Sequence, residues 1–271
     1  MKTILITGAG SGLGLGTALG LAKKGHQIIA GVQVWEQKSK ILKIIQKHNL
    51  EDKIKIIKLN ILDDLDCINA YKYDIDILVN NAGIGHTGPM AEIPVELVRE
   101  VMETNVFSTL EFTQPIIRNM VDKKKGKVVF VSSIAGLTTS PFLGPYNASK
   151  HALESIAQSL RDELHDFGVQ IATINPGPFE TGFNDRMYDT FEQWQDDEFN
   201  FTKRKTIVDA SKALLDNQLD PQDMIDKMVE VIADDKQAFR TVWPEKMVES
   251  CKGYQDRQYT LKSDEKDKSK K

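Results

Sequence analysis

Short apolar runs alternate along this chain with longer segments in which apolar positions recur every three or four residues. Residues 3–7 form the first run, and after a glycine-rich stretch Leu15, Ala18, Leu19 and Ala22 mark a helical face that ends near Gly25. Residues 27–32 read as a second strand, a helix follows through Ile41, Leu42, Ile44 and Ile45, and residues 53–59 return to strand. Further strands are expected at 75–80, 127–132, 169–175 and 239–244, with long helices over 94–122 and 146–167 and another near 210–215. Parallel strands need crossovers of a dozen residues or more and bury both faces, so this alternation predicts an α/β fold. The expected architecture is a doubly wound parallel sheet of about seven strands with helices on both faces, in one domain over residues 1–255.

Three segments depart from the regular pattern. Residues 60–73 leave room only for a shortened helix before the strand at 75. Residues 179–206, rich in Phe, Asp, Asn and Gln, read as an irregular insertion, and long insertions in compact domains often serve as lids. Residues 256–271 mix Lys, Asp and Ser with almost no apolar positions, which predicts a disordered charged tail.

Composition narrows the class. With 35 Lys and Arg against 39 Asp and Glu, the chain has no basic surplus for a phosphate backbone, so nucleic acid is not expected as a partner. The two cysteines, Cys67 and Cys251, are far apart and have no Cys or His cluster nearby, so neither a disulfide framework nor a metal site is expected. Glycines at 8, 10, 12, 14, 16 and 20 interrupt the apolar N-terminal stretch, and no run approaches the ~18 apolar residues of a membrane span. A cytoplasmic protein without membrane contact is the expectation.

Four motifs carry candidate chemistry. Thr7-Gly8-Ala9-Gly10-Ser11-Gly12-Leu13-Gly14 follows a strand and opens a helix, where free amides and the helix dipole favour a pyrophosphate; Gly8, Gly12 and Gly14 are the expected contacts. Asn80-Asn81-Ala82-Gly83 ends the fourth strand, at the edge where open α/β sheets bind ligands. Tyr146 and Lys150 stand at i and i+4 of a helix, so an ammonium beside the phenol would lower its pKa toward a useful range. Ser133 leaves the fifth strand in Val131-Ser132-Ser133-Ile134-Ala135-Gly136, where a hydroxyl could hold a carbonyl. Each motif also has a plain structural reading as a tight turn, a strand end or a surface pair. Taken singly, the asparagine turn, the Tyr–Lys pair and the serine turn are more often structural.

In this order and spacing the four motifs together resemble the short-chain dehydrogenase/reductase family, in its compact single-domain branch with a Rossmann-like fold. The resemblance runs from Met1 to about Thr181 and extends to Asn105, in Glu103-Thr104-Asn105-Val106-Phe107, and to Asn175-Pro176-Gly177-Pro178-Phe179-Glu180-Thr181. It implies a catalytic set of Asn105, Ser133, Tyr146 and Lys150. In that set Tyr146 is the acid/base, Lys150 binds the nicotinamide ribose and lowers the phenol pKa, Ser133 positions the carbonyl, and Asn105 orders a relay water. The implied nicotinamide cofactor would be held by Gly8, Ser11, Gly12, Leu13, Gly14, Gln33, Asn60, Ile61, Asn81, Ala82, Gly83, Tyr146, Lys150, Pro176, Gly177, Phe179 and Thr181, without metal.

NAD-preferring relatives usually carry an acidic residue at the end of the second strand, where this chain has Val32. The expected cofactor is therefore NADP in preference to NAD, although neither Ser11 nor Gln33 is the Arg or Lys that NADP-preferring relatives often place there. Asn60 replaces an aspartate common near the adenine. His86, Thr138, Phe142, Phe183 and Met187 are the expected substrate-pocket residues, suited to an apolar ketone, aldehyde or alcohol. The long helices resemble those through which relatives form homodimers or homotetramers. A catalytically silent dinucleotide-binding regulator is the alternative, and epimerase chemistry on the same fold is a third reading.

Overall fold

The structure, a computed structural model, describes residues 1–265. Seven strands, β1 (Thr3–Ile6), β2 (Gln27–Val32), β3 (Ile54–Lys58), β4 (Ile77–Asn80), β5 (Gly126–Val131), β6 (Val169–Pro176) and β7 (Arg240–Trp243), form one sheet in the order β3-β2-β1-β4-β5-β6-β7. Every neighbouring pair is parallel. The strand order reverses between β1 and β4, the position at whose carboxyl ends open α/β sheets bind ligands.

The strands are apolar on both sides, and their alternation sorts residues to two layers. Ile4, Ile6, Ile28, Ala30, Val32, Ile77, Val79, Val129 and Val131 face α1 (Gly12–Lys23), α2 (Glu36–Lys47) and α9 (Pro221–Val231). Leu5, Ile29, Leu78, Val128 and Phe130 face α3 (Asp64–Ala70), α5 (Ser108–Asp122) and α6 (Gly144–Leu164). In α1, a Cβ on Gly16 or Gly20 would stand 2.3 Å from Ile225 Cδ1 or 2.4 Å from Val229 Cγ2. The glycines that interrupt the apolar N-terminus are thus what lets α9 approach.

The structure revises several expected boundaries. The helix expected over 94–122 is α4 (Val95–Met102) joined to α5 by a π-helical turn, Glu103–Phe107. The segment 179–206 is built rather than irregular: it holds α7 (Phe183–Asp189) and a 3₁₀ turn, and α8 (Arg204–Leu215) begins inside it. Two unanticipated helices follow, α9 and α10 (Met247–Gln258). The last enters the expected tail by three residues, because Cys251 anchors it; of that tail, residues 266–271 lie outside the described residues. Among the described residues no helix is long and apolar enough to cross a membrane.

One buried lysine ties the amino-terminal end of β5 to the end of α9. Lys127 Nζ donates to the carbonyls of Ile232 (3.0 Å) and Asp234 (2.8 Å) at the C-terminal end of α9. Burial, helped by the charge of Lys2, draws its pKa down to about 8. The unfolded chain, with an ordinary lysine near 10.4, therefore binds the proton that the fold has released between these values, and stability rises with pH across that window. Relative to Lys127→Met, the wild type is expected to gain roughly 2–3 kcal/mol between pH 8 and pH 10. Denaturant unfolding of both proteins at each pH measures this, and a difference independent of pH would contradict it.

Candidate active site

The loops after β1 and β4 are locked together at the switch point. Thr7 Oγ1 accepts from the backbone N–H of Asn81 (3.0 Å) and Ala82 (2.9 Å), and Asn81 Nδ2 donates to the carbonyls of Thr7 (2.9 Å) and Gly8 (3.1 Å). Gly8 and Gly12 have φ of 64° and 53°, values that only glycine adopts freely. Gly14 lies under Asn81, and a Cβ on Gly12 would stand 3.3 Å from Thr181 Cβ, so the Pro176–Thr181 turn reaches the same loop. Helix α1 starts here with no side-chain cap from Ser11, which leaves the first-turn amides uncovered, Leu13 and Gly14 among them. A cradle of backbone amides at a helix N-terminus fits a dinucleotide pyrophosphate.

Two strands away, β5 and α6 bring Ser133, Tyr146 and Lys150 together. Ser133 Oγ caps the short turn Ile134–Gly136 by accepting from the Ala135 N–H at 3.1 Å. Tyr146 and Lys150 share a face of α6, with Nζ 5.5 Å from the phenol ring centroid and donating to the Val131 carbonyl at 2.9 Å. Asn105 sits in the π-helical turn, whose widened winding turns its carboxamide inward. Its Oδ1 accepts from the Ile84 N–H (2.9 Å), and its Nδ2 donates to the Ile84 carbonyl (2.8 Å) and to Ser149 Oγ (2.9 Å). The Asn105 side chain therefore ties the β4 loop to α6, and Gly83, between them, would bring a Cβ within 3.1 Å of Asn105 Oδ1 and 3.8 Å of Lys150 Nζ.

The electrostatics differ from the sequence expectation. Burial pushes the Tyr146 phenol up to about 12; the Ser133 hydroxyl opposes this by favouring the phenolate. Burial likewise draws Lys150 down to about 8, against the pull of Glu154. Burial dominates the surroundings of the phenol, and the Lys150 ammonium beside it is directed at the Val131 carbonyl.

A family model described as short chain dehydrogenase matches residues 2–191. The chain belongs to this family. It is 38% identical over 186 residues to an uncharacterized oxidoreductase, YusZ, of Bacillus subtilis, a match that spans 66% of each chain. It is 30% identical to human retinol dehydrogenase 8 over 88% of this chain and 80% of the relative. A short chain dehydrogenase/reductase from Burkholderia phymatum, solved in complex with NAD, superposes with a TM-score of 0.81 over 98% of this chain and 97% of its own, at 21% identity.

In this short chain dehydrogenase the insertion is folded down on the phenol. Met187 packs where a Cβ on Gly85 would be 2.4 Å from its sulfur and 3.2 Å from the Tyr146 ring, and Phe183 lies 5.6 Å from that ring. Leu143, Tyr146, Met187 and Tyr188 form a small apolar cluster of their own. His86 is paired with Glu100 at 3.1 Å and mostly buried, while the Phe142 carbonyl accepts from the Gly88 N–H at 2.8 Å. Thr138 turns its hydroxyl onto the Ile134 carbonyl.

Other predicted contacts are placed differently. Phe179 is buried in the core beside Ile174, so only its backbone is available at the cradle. Gln33 is exposed, and Asn60 Oδ1 caps its own turn by accepting from the Leu62 N–H at 3.2 Å, next to buried Ile61. Gly177 is covered by Met247 of α10. Two neighbours of the site escaped the sequence reading. Gln37 lies over the glycine loop, 2.5 Å from where a Gly10 Cβ would be, with its Oε1 buried and unpartnered. Helix α10 closes the Ser133 side, with Gln255 Nε2 donating to the Leu137 carbonyl at 3.2 Å and Tyr254 hydrogen-bonded to Thr139. No local motif marks either one, since each acts through contacts distant in sequence.

Proposed function

We propose that this short chain dehydrogenase interconverts an apolar ketone or aldehyde with its alcohol, using NADP in preference to NAD. The observation that carries the reading is the meeting of Ser133, Tyr146 and Lys150 beside the glycine cradle, under an apolar lid. The amides at Gly12–Gly14 and the β4 loop would hold the dinucleotide, and Lys150 and Thr181 its nicotinamide end. When bound, the nicotinamide supplies or accepts the hydride. In reduction Ser133 holds the carbonyl oxygen and Tyr146 donates its proton to that oxygen as the carbon gains the hydride. A phenol held near 12 stays protonated at neutral pH, so it stands ready as a donor. Met187 and Phe183 exclude water from the reacting carbonyl.

Two features support the cofactor preference. Val32 ends β2 without a carboxylate to repel a 2′-phosphate, and Lys38, its ammonium 4.7 Å from the Trp35 ring, adds a cation in the first turn of the helix that follows. The lining of Met187, Phe183 and Leu143 suits an apolar substrate, in keeping with the name of the human relative. A second copy of this chain is the partner we propose, met through the long helices α5 and α6.

Fluorescence titration with NADPH and NADH, followed by a carbonyl panel read as loss of cofactor absorbance, tests this reading. NADPH is expected to bind about tenfold or more tightly than NADH, with turnover on apolar carbonyls. Equal binding would remove the preference, and binding without turnover would favour a silent regulator. Binding of neither would overturn both.

A further inference from the structure

A chain of polar groups with no part in the scheme above runs inward from an exposed arginine at the edge of the sheet to the catalytic serine. On β7, Arg240 donates to Glu154 Oε2 through Nε (3.1 Å) and Nη2 (2.7 Å). The other carboxylate oxygen, Oε1, accepts from Asn175 Nδ2 at 2.6 Å, and the same Nδ2 donates to the Ser133 carbonyl at 3.0 Å. Asn175 is fully buried, and the Glu154 side chain is 7% exposed. A Cβ on Gly136 would stand 3.0 Å from Glu154 Cγ and 2.9 Å from the Lys150 carbonyl, so the carboxylate lies against the turn that carries Ser133.

We propose that Glu154 is a positioning residue: through Asn175 it fixes the backbone of Ser133, and through Arg240 it ties that position to the last strand of the sheet. The proposal rests on the oxidoreductase reading of Ser133, Tyr146 and Lys150. An ion pair that buries its carboxylate is a poor source of stability, since taking the charge out of water offsets much of the attraction. What a carboxylate supplies here is two acceptors a fixed distance apart, one for Arg240 and one for Asn175. The relay sets where the serine hydroxyl stands when a carbonyl meets Tyr146.

Glu154 also bears on Lys150 one helical turn away, where its negative charge favours the ammonium against burial. Around Lys150, α6 contributes the titratable groups Tyr146 and Glu154, β5 the Val131 carbonyl, the β4 loop the Gly83 backbone and the π-helical turn the neutral Asn105. Arg240 reaches this centre from β7 by way of Glu154.

The test is Glu154→Gln, which keeps the volume but can accept on one side only, alongside Arg240→Gln, which leaves the Asn175 bond in place. Steady-state turnover and NADPH affinity are measured together with the titration of the Lys150 amine, followed by NMR of ε-carbon-labelled lysine and assigned with Lys150→Arg. Glu154→Gln is expected to bind NADPH close to the wild-type affinity while kcat falls about tenfold with little change in KM. Its Lys150 titration moves to lower pH, whereas in Arg240→Gln it moves to higher pH because Glu154 is no longer neutralised. Opposite shifts are something a general loosening cannot produce. Unchanged turnover and coincident titrations would overturn the proposal, as would parallel losses of kcat, cofactor affinity and melting temperature. Should Glu154→Gln fail to fold, turnover of Arg240→Gln decides: a fall in kcat at unchanged NADPH affinity supports the tie to the last strand, and unchanged kcat overturns it. A wild type that binds NADPH without turning over any carbonyl would remove the oxidoreductase reading, while the two Lys150 shifts still decide whether Glu154 acts on the cluster.

Discussion

Tyr146→Phe is expected to lower turnover on the order of 10³-fold while NADPH binding stays close to that of the wild type. In the proposed mechanism the phenol gives the proton to a carbonyl oxygen, and phenylalanine keeps the ring that packs on Phe183 and Met187. Lys150 remains bonded to the Val131 carbonyl whether or not the hydroxyl is present, so the nicotinamide end of the cradle is undisturbed. Without the hydroxyl the proposed mechanism has to draw its proton from water, and Met187 and Phe183 pack over this ring. Single-turnover rates with NADPH and a reactive apolar ketone measure the loss. A variant that kept more than a tenth of wild-type turnover would remove Tyr146 from the mechanism and return the cluster to a structural role.

What was legible in the sequence was what depends on neighbours along the chain. The strands announce themselves because parallel strands buried on both faces are nearly continuous apolar runs, as Ile28 to Val32 and Val128 to Val131 are. The glycine loop and the Tyr146–Lys150 pair are likewise local, being a strand-to-helix turn and one turn of helix. Helix α9 was legible too, though it was missed. Asp220 caps it, Pro221 begins it, and Met224, Met228 and Val229 give it a buried stripe. Helix α10 offers no such stripe, with Cys251 its one buried residue, and its place is set by Gly177 and the 137–139 loop far away in sequence.

The rest of the site depends on tertiary contacts. The π-helical turn at Glu103–Phe107 is held by Asn105 reaching Ile84 and Ser149, and nothing within those five residues separates it from ordinary helix. The pKa of Tyr146 follows from how deeply the insertion covers it, and the i, i+4 spacing of Lys150 is silent on that. Gln37, rather than Gln33, lies on the glycine loop because the first turn of α2 carries it back over Gly10. Side-chain chemistry could be read from position, whereas burial, on which the electrostatics rest, could not.

Gly14→Ala is expected to destabilise the fold and to weaken NADPH binding at least tenfold, although by helix propensity alone it is favourable by about 1 kcal/mol. Gly14 is the third residue of α1, and a Cβ there would stand 2.5 Å from Asn81 Nδ2 and 2.6 Å from the Gly8 carbonyl. The Gly8 carbonyl is backbone, and Asn81 Nδ2 is held by its two bonds to the carbonyls of Thr7 and Gly8. Relief therefore requires breaking those bonds, each worth about 1 kcal/mol, or moving the loop that bears the cradle, and overpacking of this kind costs about 1–3 kcal/mol. The contact outweighs the propensity. Gly253→Ala in α10 is the matched control: its Cβ meets only the Arg257 side chain at 3.4 Å, an ordinary contact, so there the propensity gain of up to about 1 kcal/mol should appear. Thermal melts of both variants with and without NADPH measure the contrast. A stabilised Gly14→Ala with wild-type cofactor affinity would mean that the loops after β1 and β4 are not locked through Asn81, and that the cradle is shaped by something else.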